Sequence, residues 1–178
     1  MLKRTLTALV MVIILVPMLI LGGWYFTALG MVLSYIAGYE LLNMMENEEL
    51  TFKRLKYVAP LYNVILILAF QLDAVMVVPL VILSLLGFLA LGVFRPNFNA
   101  KSVMSLIFVY LYSGLLLGLT FSLRLIGLNE SFNQGFYLFG YLLLTVIFTD
   151  IGAYAIGCSI GKHKLIPSIS PKKSVEGA

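Results

Sequence analysis

The stretch FTDIGAYAIG, Phe148 to Gly157, sets one carboxylate, Asp150, inside a long apolar run. A charge at bilayer depth costs about 2.5–3.5 kcal/mol on insertion scales, so intramembrane acids usually face a cavity, an ion path or a partner. On a helix, positions i+3, i+4 and i+7 share a face. From Asp150 these are Ala153, Tyr154 and Gly157, and Gly161 continues the line. Small residues let a second backbone or a ligand come close. Asp150 therefore heads a face that meets protein or a site. The competing reading is a boundary acid that snorkels to the inner interface.

A basic segment follows, with Lys162, His163, Lys164, Lys172 and Lys173. For Lys162 and Lys164 a positive-inside stop signal would be explanation enough. Ser170-Pro171 is more specific, because serine suits an N-cap and proline the first helical turn. The spacing predicts a helix start whose free amides, together with Lys172 and Lys173, would receive phosphate. A carboxylate near the same face can hold Mg²⁺ through oxygen ligands. The bilayer delivers lipid. These residues point to phosphoryl or nucleotidyl transfer to a lipid at the inner leaflet. Arg124 is a second buried charge, near the outer end of its span and too far in depth to pair with Asp150. It either snorkels outward or makes a structural or lipid-headgroup contact within the bundle.

The elements that must position these groups follow from composition. The chain has 178 residues, of which 61% are hydrophobic and 11% charged, with mean hydropathy +1.03. Soluble domains carry about 25% charged residues, so the fold class is an all-α integral membrane protein. Six transmembrane helices are predicted at 5–22, 24–44, 57–72, 74–94, 102–126 and 135–157, each near the roughly 20 residues a bilayer core requires. Residues 1–157 form the helical bundle, and 158–178 form a basic cytoplasmic segment. The basic N-terminal flank and apolar run resemble a secretory signal, but GGWYF follows where a small-residue cleavage site would stand. With both termini in the cytoplasm, eleven of the twelve Lys and Arg residues fall on inside segments, the split that the positive-inside rule predicts. Trp24, Tyr25 and Phe26 then lie at the outer interface and Tyr57 at the inner one. Gly114 and Gly118 form a GxxxG packing signal. One cysteine, Cys158, and one histidine, His163, exclude an intrachain disulfide, a Cys-based metal site and a multi-histidine site within this sequence. The positive charge is a membrane-topology signal and implies no nucleic acid.

From Thr149 to Gly177 the chain resembles the phosphatidate cytidylyltransferase family, also called CDP-diglyceride synthases. The pattern is approximately D-T-G-A-Y, then G-R, G-K-H, P and S-P-K-K-T-x-E-G. Asp150, Gly152, Ala153, Tyr154, Gly157, Gly161, Lys162, His163, Pro167, Ser170, Pro171, Lys172, Lys173, Glu176 and Gly177 match it. Ile151, Cys158 and Ser174 depart from it, and Cys158 removes one basic contact. The resemblance implies an enzyme that joins CTP and phosphatidic acid into CDP-diacylglycerol and pyrophosphate, using Mg²⁺. It implies Asp150 as metal or polar-floor residue, and Lys172 and Lys173, with the Ser170 turn, as the holders of the CTP phosphates. Tyr154, Lys162, His163, Lys164 and Arg124 are the further substrate-binding candidates. The expected place is the cell membrane with the active side facing the cytoplasm, and a homodimer is left open. The family's C-terminal motif, rich in Lys, Asp, His and Gly, is not in this sequence, so the chain reads as the N-terminal portion of such an enzyme. Two other readings remain open at this point: a transporter with an ion or proton site at Asp150, and a non-catalytic membrane relic.

Overall fold

A computed structural model describes residues 2–46, 54–95, 98–127, 133–166 and 170–177. Lys53 and most of the 128–134 connection lie outside them. The helices are α1 Leu2–Leu21, α2 Gly23–Met45, α3 Leu55–Leu72, α4 Val77–Phe94, α5 Ala100–Val109, α6 Leu117–Ser122 and α7 Gln134–Ser159. A 3₁₀ turn, Ala74–Met76, leads into α4. A π-helical stretch, Tyr110–Leu116, joins α5 to α6, and a 3₁₀ turn, Leu123–Leu125, closes that span. Two short strands follow, β1 Lys164–Ile166 and β2 Ser170–Ser174. Among the described residues, five helical stretches are long and apolar enough to cross a membrane: Gly23–Met45, Leu55–Leu72, Ala74–Phe94, Ala100–Leu125 and Gln134–Ser159. In α1 the apolar part is Val12–Leu21. The protein is an all-α, multi-pass membrane protein, with a single two-stranded hairpin among the described residues.

The chain divides into two units, Met1–Phe136 and Tyr137–Ala178. In the first, α2 lies against α3 and the fifth span. Its buried face repeats every four residues, through Phe26, Gly30, Ser34, Gly38 and Leu42. The glycines are there for approach. A Cβ on Gly38 would stand 2.6 Å from Asn63 Nδ2, and one on Gly30 2.8 Å from the Phe121 ring. The GxxxG pair faces α3, because a Cβ on Gly114 would stand 2.7 Å from Asn63 Oδ1 and one on Gly118 2.6 Å from the Phe70 ring. Asn63 thus sits where three backbones converge. Its Nδ2 donates to Ser113 Oγ at 2.9 Å, and Ser113 Oγ donates to the Val109 carbonyl at 2.7 Å. The Ser34 hydroxyl donates to the Ser113 carbonyl. The extra residue per turn of a π-helix turns Tyr110, Ser113 and Gly114 all inward. Around this polar centre pack Leu42, Leu66, Phe88, Leu106 and Val109. The opposite faces, with Leu83 and Val93 on α4 for example, present bare hydrocarbon, as lipid-facing surfaces do.

The same unit holds Arg124. Its residue is 1% exposed, so it does not snorkel. Nε donates to the Leu19 carbonyl at 2.9 Å, Nη1 to Asn133 Oδ1 at 2.9 Å, and Nη2 reaches the Ile20 carbonyl at 3.5 Å. The Phe136 ring lies 5.5 Å from the guanidinium. The last carbonyls of a helix lack intrahelical donors, and a cation there also suits the helix dipole. Arg124 supplies both to α1. Gly22, at φ +64°, makes room, since a Cβ there would stand 2.5 Å from Nη2. Asn133 Oδ1 also accepts from the Phe136 amide at 3.2 Å, which ties the start of α7 to the same guanidinium.

Candidate functional site

The second unit carries every other candidate. α7 brings Asp150 to an exposed position, with Tyr154 one turn on and 75% exposed. The Thr145 and Thr149 hydroxyls are turned back onto the Tyr141 and Thr145 carbonyls, at 2.8 and 2.7 Å. Such back-bonding satisfies a hydroxyl in an apolar setting without a partner from outside the helix. Asp150 has no such recourse. Among the described residues no group of three or more His, Cys, Asp or Glu is placed to hold a metal ion.

The small-residue face beyond Asp150 meets protein, and that protein is the chain's own return. A Cβ on Gly177 would stand 2.7 Å from the Ala153 carbonyl and 2.7 Å from Gly157 Cα. One on Gly157 would stand 3.3 Å from Ser174 Oγ, and one on Gly161 2.8 Å from Ser174 Cβ. Ala153, Gly157 and Gly161 therefore form a flat seat into which Ser174 is pressed, almost fully buried. Tyr154 and Asp150 stay outside it.

No helix begins at Ser170. The chain there is β2, antiparallel to β1, with Lys164 opposite Ser174 and Ile166 opposite Ser170, and an irregular register between. The expected helix N-terminus, with its free amides for phosphate, is thus replaced by a strand. The reason is local. Proline pushes the residue before it into the extended region, and a proline without N–H is tolerated in a strand that has a free edge. The packing of Ser174 on the glycine seat then favours the hairpin over a helix. Ser170 opens the strand and Lys173 lies on it, exposed; the side chains of Pro171 and Lys172 lie outside the described set, as does Pro167. Lys162 and Lys164 are exposed on the other arm.

Glu176 closes the hairpin. Its Oε1 lies 2.7 Å from His163 Nδ1, and its Oε2 accepts from the Lys162 amide at 3.1 Å. The His163 amide reaches both oxygens at 3.3 Å, and the His163 carbonyl accepts from the Val175 amide at 2.9 Å. Its own amide first, then the His163 ring and the amides of His163 and Lys162, hold the Glu176 carboxyl below its ordinary range. His163 is therefore engaged with Glu176, although its ring is mostly open to solvent. The second unit thus brings Lys162, His163, Lys164, Ser170 and Lys173 into one hairpin at the end of the helix that bears Asp150 and Tyr154. Arg124 belongs to the first unit and is consumed there by carbonyls. Glu176 was not singled out by its residue type, because its partners are mainly backbone amides.

The family described as "Cytidylyltransferase family" matches residues 2–178. The chain is 34% identical over 176 residues to a phosphatidate cytidylyltransferase of Staphylococcus aureus (strain COL), covering 98% of this chain and 65% of that protein. The proteins of the same name in Staphylococcus saprophyticus and Staphylococcus epidermidis are also 34% identical, with the same two coverages. The chain spans just under two thirds of the length of these relatives. No solved structure matches it.

Proposed function

The chain belongs to the cytidylyltransferase family, and from that premise we propose that its residues act in moving a cytidylyl group from CTP to phosphatidic acid. CDP-diacylglycerol and pyrophosphate are the products. The observation that carries this reading is the basic hairpin seated on the end of α7, the helix that also bears the exposed carboxylate of Asp150. The names of the relatives support it. In the reaction a phosphatidate oxygen attacks the α-phosphorus of CTP. The bond from that phosphorus to the bridging oxygen breaks, and pyrophosphate leaves with the electron pair.

The chain's own part is electrostatic. Lys162, Lys164, Lys172 and Lys173 offset the triphosphate charge as it shifts toward the leaving group, the kind of pre-placed stabilisation that lowers such barriers most. Ser170, His163 and Tyr154 line the same end with polar groups. Mg²⁺ is usually held by one or two carboxylates with phosphate and water oxygens. One carboxylate, Asp150, fits that demand, and Mg²⁺ bound there would supply Lewis-acid stabilisation of the phosphoryl oxygens. The positive-inside rule supports a cytoplasmic face for this basic end, where CTP would be met. Arg124 has no role in this scheme.

Membranes carrying the chain are incubated with radiolabelled CTP, phosphatidic acid and Mg²⁺. CTP binding is expected, and it is expected to fall in Lys172→Ala, Lys173→Ala and Asp150→Asn. Binding that ignores all three substitutions, or no binding at all, would sink the reading.

A further inference from the structure

Besides its own amide, Glu176 has both carboxylate oxygens engaged by donors from one short loop. The amides of Lys162 and His163 and the His163 ring all converge on it. These residues leave the end of α7, whereas Glu176 follows β2, so the contact closes a ring of chain from 162 to 176. The ring is fastened a second time by the Val175 amide on the His163 carbonyl. Its other side is pressed on the α7 seat through Ser174 and Gly177.

The choice of partners matters. Three lysines stand on this ring with exposed side chains, Lys162, Lys164 and Lys173. A carboxylate among them would ordinarily be drawn to an ammonium group. Here it takes amides and the imidazole instead. Backbone N–H groups bound by a carboxylate form a charge-assisted contact of fixed geometry. A lysine pair on an exposed surface is weaker and looser. Glu176 therefore orders the backbone that carries the cations and leaves their charge available to an anion.

We propose that Glu176 is the positioning residue of the hairpin: by fixing the Lys162 and His163 amides it sets where Lys162, Lys164 and Lys173 meet a nucleotide triphosphate. The inference rests on the CTP reading above for its ligand and on the structure for its geometry. Glu176 does not touch the triphosphate. It acts through the loop it holds.

Two measurements on the full chain in detergent micelles separate the geometry from the ligand. The first is hydrogen exchange at the amides of Lys162 and His163 in the wild type, Glu176→Ala and Glu176→Gln. Exchange is expected to quicken roughly tenfold in Glu176→Ala, as a local contact opens. Glu176→Gln keeps one acceptor oxygen and should stay nearer the wild type, so misfolding of the alanine variant cannot mimic the result. The second is equilibrium binding of CTP. Affinity is expected to fall in Glu176→Ala and to recover largely in Glu176→Gln. Equal exchange in wild type and Glu176→Ala overturns the proposal. So does altered exchange with unchanged CTP affinity. Tighter CTP binding in Glu176→Ala overturns it too, and would mean that the carboxylate sits where a phosphate belongs. If exchange responds as expected but the wild type binds no CTP, the positioning geometry stands and the nucleotide reading falls.

Discussion

Replacing Arg124 with leucine removes two good hydrogen bonds, to the Leu19 carbonyl and Asn133 Oδ1, and one long one to the Ile20 carbonyl. Hydrogen bonds with one charged partner contribute about 1.5–3 kcal/mol each. The two good ones therefore amount to roughly 3–6 kcal/mol, and the Phe136 ring adds about 0.5–2 more. These values are already net of desolvation, and the substitution leaves neutral oxygens behind, not a charge. The expected loss is about 3 kcal/mol, the low end of the hydrogen-bond sum. Unfolding in mixed detergent micelles with rising dodecyl sulfate measures it. The single tryptophan, Trp24, is the reporter, close in sequence to Gly22 and half exposed. Arg124→Lys carries one ammonium and cannot reach both sets of acceptors, so it should restore less than half. A double-mutant cycle with Asn133→Ala should give a coupling of about 1 kcal/mol. If Arg124→Leu unfolds within about 0.5 kcal/mol of the wild type, the usual reach of a surface substitution, the clamp does not hold the bundle. A headgroup role for the guanidinium would then regain its place.

Three further outcomes follow from the geometry. Gly114→Ala drives a Cβ to 2.7 Å from Asn63 Oδ1 and should cost about 1–3 kcal/mol in the same titration; Gly87→Ala, with nothing within 4 Å, should cost nothing or stabilise slightly. Gly161→Ala would meet the Gly157 carbonyl and the Ser174 side chain together, so it should loosen the end of α7 and its hairpin and speed tryptic cutting after Lys162 and Lys164, whereas Gly152→Ala, which meets open space, should leave the cutting rate unchanged. The lowered carboxyl of Glu176 stabilises the hairpin above the unfolded-state value of about 4.3. That contribution is lost as pH falls through the lower folded value, so tryptic digests cannot report it, but hydrogen exchange at the 162 and 163 amides can. Protection should hold through neutral pH, after correction for the intrinsic rate, and collapse only on acidification below the ordinary glutamate range. Collapse near neutrality would refute the assignment.

The long apolar runs were readable because a bilayer asks little more of a helix than length and hydropathy. Gly114 and Gly118 announced a close approach and made one. The matching signal on α2, Gly30, Ser34 and Gly38 four apart, is equally present in the sequence and makes the same kind of approach. Arg124 could be recognised as buried, but its partners on α1 are backbone carbonyls, which every residue carries, so spacing could not find them. Ser170-Pro171 misled because the same pair opens a helix or a strand. What decides between them is a seat of glycines earlier in the chain. Asp150, Lys162 and Lys164 were found by type, being charges that a membrane chain must account for. Glu176 was harder to see as a structural residue because its work is done on amides.

The Arg124 clamp also has a consequence for biosynthesis. Its donor and its acceptor on α1 are 105 residues apart, whereas Glu176 and the Lys162 amide are 14 apart. At roughly 5–20 residues per second a ribosome needs about 5–20 s to span the longer gap. Through that interval the exit end of α1 has no guanidinium to meet. Its carbonyls must be served by water or headgroups, and the helix is free to shift. The hairpin closes almost as soon as its last residue emerges, since local contacts form early. The end of α1 is thus secured by a turn made about a hundred residues later, and the first helix waits for an arginine that has not yet been translated.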